Sequence, residues 1–418
     1  MHSACGTYAA GGSPAKRPRW EVADIFSFYG EQYRLSHSLP LSRLKVMHAV
    51  EVCRTAYLGG HIERCDSCGF QQHSYNSCRN RHCPKCQTLT KARWLQKRKE
   101  ELLPTGYFHN VFTLPHELNP LALCNQKTVY DMLFRSVSET LLQFGRNPEN
   151  GLGGKLGFLG ILHTWDQTLM DHIHLHCVIA GGALSFDRSR WVPAREGFLF
   201  SVRALSRVFR GKFTDYLKSA FKDGTLIFPG KTAPLATDRC FSRFIDDLKK
   251  KEWVVYCKKP FAGAEQVLDY IGRYTHRVAI SNNRIVDAKN GKVTFTYRDR
   301  RDGDILKEMT LKAEEFIRRF LLHVLPGGYV RIRHFGFLAN RLKKENIKRC
   351  RELIGAGKRL PESTDMTTQE LMLDLTGVDI SVCPCCKDGT MRIVDEIVPL
   401  WRRLSIRYSP EPQYMDSS

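Results

Sequence analysis

His172-Ile173-His174-Leu175-His176-Cys177 sits within an apolar run that closes at Gly181-Gly182. Side chains alternate between faces in a strand, so His172, His174 and His176 share one face, with Ile173, Leu175 and Cys177 on the other. Neutral imidazoles bind divalent ions, and two of them about 7 Å apart along a strand can converge on one ion. The upstream run Phe158 to Trp165 can return antiparallel after a turn near Leu169-Met170, and a two-residue turn there sets His163 opposite His176 as a third ligand candidate. The plainer alternative is a strand whose polar face is merely rich in histidine.

A second chemistry is written in cysteine. Cys65-x2-Cys68 and Cys83-Pro84-Lys85-Cys86 are paired knuckles fourteen residues apart, offering four thiolates to a tetrahedral zinc. Cys65, Cys68, Cys83 and Cys86 are the expected set, with Cys78 and His82 able to replace one of them. Such a ribbon supplies folding energy and a binding surface. Cys383-Pro384-Cys385-Cys386 is knuckle-like but has no evident partner pair, Cys350 offering one further ligand at most. A thiol cluster and a partial zinc site are both open there. Fifteen cysteines in a long chain without an apolar leader favour reduced thiols and zinc over disulfides.

A third candidate is a pair of phenols. Tyr270 and Tyr274 are four apart and share a face of an expected helix from about Gly263 to Thr275. Val267, Tyr270, Ile271, Tyr274 and Val278 also make an ordinary amphipathic stripe. What favours chemistry is their company, Arg273, His276 and Arg277. A phenol ionises near pH 10, so it needs activation before it can attack a phosphodiester. A divalent ion would polarise the phosphate and stabilise the charge that develops.

The elements that position these groups can be read in order. Residues 1–20 and 409–418 are expected to be disordered tails, and residues 21–100 a helical and zinc-ribbon DNA-binding domain, with two helices between Val22 and Leu58 broken near Pro40. Residues 101–280 form the expected catalytic domain. It has a strand from Tyr107 to Leu114, a helix from Leu118 to Phe144, a Gly-rich loop at 145–155 and the histidine hairpin at 156–182. Helices Arg203 to Phe221 and Asp238 to Lys250 and a strand Trp253 to Cys257 follow. Residues 281–408 are expected to be a basic DNA-binding region, with a hairpin turning at Asn290-Gly291 and a helix from Lys312 to Leu325.

The chain of 418 residues has 64 Lys and Arg against 43 Asp and Glu, a formal charge of +21. Such a field attracts polyanions, nucleic acid first. Arg79 to Lys99 holds eight basic residues and no acidic one, and Lys312 to Arg359 has thirteen against four, a net +9. Tyr329 to Gly336 interleaves aromatics with Arg331 and Arg333, a mix suited to phosphates and stacked bases. No apolar run is long enough for a membrane span, and no phosphate-loop spacing implies a nucleotide cofactor. A cytoplasmic, nucleoid-associated protein is expected.

In this order the residues resemble the HUH single-strand DNA transesterases, and among them the two-tyrosine rolling-circle transposases of bacterial insertion sequences. The likeness is carried by Arg81-His82-Cys83-Pro84-Lys85-Cys86-Gln87, Phe108 to Pro115, His163 to Leu169, the histidine strand, Tyr270 to Arg277 and Ile280-Ser281-Asn282. It implies an α+β fold, a central antiparallel sheet with flanking helices. It implies His174-Leu175-His176 as the HUH pair holding Mg2+ or Mn2+, with His163 or Gln167 nearby, and Tyr270 and Tyr274 as nucleophiles. Arg273, Arg277, Arg331 and Arg333 are expected on DNA. Ile173 stands where the family pattern has proline, which leaves the role of His172 open. The implied activity is cleavage and strand transfer of single-stranded DNA through 5′-phosphotyrosine. A hydrolytic metal nuclease and a non-catalytic zinc-ribbon regulator are the alternatives.

Overall fold

The computed structural model describes residues 18–402 apart from 151, 262–265, 268–271, 273–277, 300–301 and 356–365. Residues 1–17 of the first expected tail, the whole of the second, Tyr270, Tyr274, Arg273 and Arg277 lie outside the described residues. The fold is α+β, as expected, and its described residues divide into two compact units. One is drawn from Met1–Ala92, Ile280–Arg318 and Thr364–Ser418, the other from Arg93–Ala279 and Arg319–Ser363. Residues 281–408, expected to act as one region, are thus shared between the two.

The second unit is organised on an antiparallel sheet. Strand Ile332–Gly336 lies beside Lys155–Trp165, then Asp171–Leu184, Tyr107–Thr113 and Val255–Phe261, with Trp191–Pro193 paired to the far end of Asp171–Leu184. Because the pleat alternates, this sheet has two chemically different faces. One carries Phe108, Phe112, Phe158, Leu162, Leu175 and Ile179, packed against Val129, Leu133, Phe134, Val137 and Leu141 of helix Gln126–Arg146 and against helix Val202–Lys222. Those helical residues recur at 3.6-residue spacing, so their stripe meets the sheet. The other face carries Tyr107, Leu159, Ile161, Val178 and Ala180, with Val267, Phe337 and Ile347 over them.

The long helix expected from Leu118 is broken at Asn125, whose backbone leaves the helical region between Asn119–Cys124 and Gln126–Arg146. Its amide explains the break, bonding Ile227 through both ends: Nδ2 donates to the Ile227 carbonyl at 2.8 Å, and the Ile227 amide donates back at 2.9 Å.

The first unit opens with helices Val22–Ser36 and Leu41–Glu51, separated at Pro40 and tied by an Arg34–Glu51 ion pair of 2.7 Å. A small sheet in the order Met391–Ile397, Gly60–Cys65, Gln71–Tyr75 follows, and another in the order Ile305–Lys312, Lys292–Asp299, Ile285–Lys289. The expected hairpin turns at Asn290 and Gly291, both at positive φ (51° and 70°), as a tight two-residue turn requires. No helix among the described residues is long and apolar enough to cross a membrane.

Candidate metal centres

Strands Lys155–Trp165 and Asp171–Leu184 bring His163, His174 and His176 to one face, where all three are buried, at 3%, 8% and 6% exposure. One ring nitrogen from each lies within 4.8 Å of the others. The register differs from expectation: His163 stands opposite His174, and Ile161 opposite His176. The cause is the turn. It spans five residues, 166–170, and the pairing shifts between His163 and Trp165. His163 still reaches across the diagonal, its ring centroid 4.6 Å from that of His176 and 5.4 Å from that of His174. His172 is exposed.

The turn is strongly determined. Asp166 Oδ1 accepts from the Thr168 amide (2.8 Å), the Thr168 hydroxyl (2.9 Å) and the Met170 amide (2.9 Å). Leu169 is buried with φ +63°, a left-handed backbone that costs a non-glycine residue about 1 kcal/mol or more. Buried His323 braces it, Nε2 donating to the Leu169 carbonyl at 3.0 Å and Nδ1 accepting from the Thr164 hydroxyl at 3.2 Å. Arg319 donates to the Thr168 carbonyl at 3.0 Å.

Two further contacts orient the rings. His174 Nδ1 donates to the His172 carbonyl at 2.7 Å, which leaves Nε2 as the nitrogen open to ligation. His176 Nδ1 is hydrogen-bonded at 2.8 Å to Nε2 of His109, on the neighbouring strand. His109 is buried, and burial, with Lys258 nearby, pushes its pKa down to about 4, so it is a neutral partner at ordinary pH. A buried three-imidazole set with both Nδ1 positions fixed fits a divalent ion.

The cysteines fall into two clusters, and this corrects the expected set of Cys65, Cys68, Cys83 and Cys86. Cys83 and Cys86 meet Cys53 and Cys78, whereas Cys65 and Cys68 meet Cys383 and Cys386. In the first cluster Cys53 and Cys86 sulfurs are 3.4 Å apart, and Cys78 and Cys86 3.5 Å. A disulfide would bring them to about 2.05 Å, while a tetrahedron of Zn–S bonds of about 2.3 Å has edges of roughly 3.8 Å. Cys53 is pulled down to about 7, chiefly by the Cys78 thiol, as expected where thiols share their protons before a metal replaces them. The donor set therefore fits zinc.

The basic residues part company. Arg331 is buried at 9% exposure. Arg333 pairs with Asp131 at 2.5 Å and lies over Phe134 and Tyr329, 4.1 and 5.2 Å from their ring centres. Arg331 is thus enclosed within the sheet unit, whereas Arg333 stays partly exposed, its side chain at 29%, beside Asp131 at 42%. Helix Gln87–Lys99, by contrast, buries only Gln87 and Ala92 among its residues and exposes Arg93, Lys97 and Lys99, while Arg98 turns in to Glu101 and His334.

Together these centres define a protein that gathers candidate metal ligands of both kinds, thiolate and imidazole. Residues 157–346 match the family described as "Putative transposase", and residues 25–114 match the "Transposase zinc-binding domain". The chain is 49% identical over 378 residues, 90% of its length and 95% of the relative's, to the "Putative transposase y4qJ" of Sinorhizobium fredii (strain NBRC 101917 / NGR234). It is 28% identical over 305 residues, 72% of each chain, to the "Transposase for insertion sequence element IS801" of Pseudomonas savastanoi pv. phaseolicola. No solved structure matches it. The chain belongs to the IS91 family of insertion-sequence transposases.

Proposed function

We propose that this transposase cleaves and rejoins single-stranded DNA at the histidine face, with Tyr270 and Tyr274 as nucleophiles and Mg2+ or Mn2+ held by His163, His174 and His176. The observation that carries the reading is the burial of Val267, three residues before Tyr270, in the apolar cluster of that same face, among Leu159, Ile161 and Val178. A bound divalent ion supplies Lewis-acid polarisation of the scissile phosphate.

The chain's own groups do the rest. One tyrosine oxygen bonds to phosphorus as the bond to the 3′ oxygen breaks. The phenol gives up its proton and the leaving 3′ oxygen takes one, so the products are a 5′-phosphotyrosine and a 3′-hydroxyl. One ester replaces another, so the exchange is reversible, and a later 3′-hydroxyl can attack the phosphotyrosine and release the tyrosine. Two tyrosines suit two successive transfers, one holding a donor end while the other acts. His109 and the His172 carbonyl hold the rings of His176 and His174, and the buried site keeps competing water out. The partner is single-stranded DNA in the bacterial cytoplasm.

The test is adduct trapping on denaturing gels, using single-stranded oligonucleotides from the element's flanks with Mn2+. A covalent adduct should form with wild type, disappear in the Tyr270→Phe, Tyr274→Phe double variant, and require His174 and His176. Cleavage without an adduct would mean hydrolysis by water, and binding without cleavage a regulator.

A further inference from the structure

We propose that Cys65, Cys68, Cys383 and Cys386 hold a second structural zinc, which clasps the strand Met391–Ile397 onto the ribbon Gly60–Tyr75. The matched zinc-binding segment, residues 25–114, contains only half of this ligand set. The other half arrives from more than 300 residues downstream, with Cys65 and Cys386 separated by 321 positions.

Four features carry the assignment. The sulfurs of Cys65 and Cys386, and of Cys68 and Cys383, are each 3.7 Å apart, close to the roughly 3.8 Å edge of a zinc–thiolate tetrahedron and far from a disulfide's length.

The two halves are built alike. In the first, the Cys68 amide donates to Cys65 Sγ at 3.4 Å and the Gly69 amide to the Cys65 carbonyl at 3.2 Å. In the second, the Cys385 amide donates to Cys383 Sγ at 3.4 Å and the Lys387 amide to the Cys383 carbonyl at 3.1 Å. The Gly389 amide adds a bond to Cys386 Sγ at 3.3 Å. Backbone amides aimed at sulfur stabilise thiolate, the form that binds metal.

Gly389 fits because it has no side chain: a Cβ there would lie 2.3 Å from Cys65 Sγ. Finally, this sheet has little apolar support among the described residues. Its apolar cluster is Cys65, Cys383 and Met391, with Phe70 and Cys386 against them, while Ile393 and Val394 of the edge strand are 67% and 47% exposed. A core that small does not secure a three-stranded sheet without a cross-link. Four sulfur donors in a closed set select zinc over harder ions.

The full chain, loaded with Co2+ in place of zinc, reports thiolate ligands through sulfur-to-cobalt charge transfer, to which histidine sites contribute nothing. Wild type should show the absorbance of eight thiolates and two ions. Cys383→Ser with Cys386→Ser should halve it, and Cys53→Ser with Cys83→Ser should remove the other half. An undiminished spectrum in the first variant overturns the proposal. Should that variant fail to fold, cysteine alkylation of the zinc-loaded wild type decides. Cys65, Cys68, Cys383 and Cys386 should resist until a chelator is added, while exposed Cys240 reacts throughout. Alkylation of Cys383 and Cys386 as fast as Cys240 in the zinc-loaded protein refutes the clasp.

Discussion

His109 and His176 face each other across two adjacent strands with their rings 12° from parallel and a nitrogen-to-nitrogen distance of 2.8 Å. His109 is thereby placed behind a candidate metal ligand, where it sets which nitrogen His176 presents.

Replacing His109 by Leu should weaken Mn2+ binding by about 10- to 100-fold, the usual cost of losing a partner behind a ligating histidine. His109→Gln, which can still bond Nδ1, should recover most of that loss. Mn2+ titration followed by electron paramagnetic resonance measures both without substrate, and equal affinity in wild type and His109→Leu would remove His109 from the site.

Asp166→Ala should loosen the turn that sets the histidine register. Three hydrogen bonds to Oδ1 are lost at a strained turn, and about 1–3 kcal/mol of stability should go with them. Chemical denaturation gives the stability, and the Mn2+ titration should show weaker binding in the same variant. A stability loss with unchanged affinity would mean that the sheet alone fixes His163 against His174.

Two glycine substitutions should behave in opposite ways. Gly389→Ala drives a methyl group into Cys65 Sγ and should release zinc at a lower chelator concentration than wild type. Gly211→Ala, in helix Val202–Lys222 with open space around it, should raise stability by about 0.5–1 kcal/mol. Zinc release read with a colorimetric chelator and thermal melts distinguish them.

Acid should destabilise the sheet unit through His334. Burial, with Lys343 and Arg98 adding to it, lowers its folded pKa to about 4, and Arg98 donates to its Nε2 at 2.9 Å. Between that value and about 6.5 the unfolded chain binds the proton and the folded chain does not. Stability from this group is therefore complete above about pH 6.5 and is lost as pH falls toward 4. Urea midpoints at pH 7 and pH 5 should fall less in His334→Gln than in wild type, and parallel falls would assign the acid sensitivity elsewhere.

The sequence made the histidine face legible because a period of two needs no partner to be recognised. Register was not legible. It depends on a five-residue turn held by a left-handed Leu169 and by His323, more than 150 residues away. The cysteine knuckles were visible as spacings, but spacing cannot say which pairs share an ion. Cys53 is a lone cysteine in sequence, and Cys383 becomes a partner of Cys68 only when the edge strand pairs with Gly60–Cys65. His109 sits in a strand that reads as apolar, and its role exists only across the interstrand gap. The burial of Arg331 was not legible, because an alternation of aromatics and cations suits a DNA surface and an interior equally, while Arg333 beside Asp131 stays partly exposed.

The pairing of Gly60–Cys65 with Met391–Ile397 has a consequence for how the protein is made. Ribosomes add roughly 5–20 residues per second, so Cys65 leaves the exit tunnel tens of seconds before Cys386 exists. For that interval the nascent ribbon carries two thiols without their companions, open to oxidation, stray metal or a chaperone. A messenger interrupted before codon 383 yields a chain that lacks both Cys383–Cys386 and the strand Met391–Ile397, leaving Gly60–Cys65 with an open edge that quality-control proteases can read.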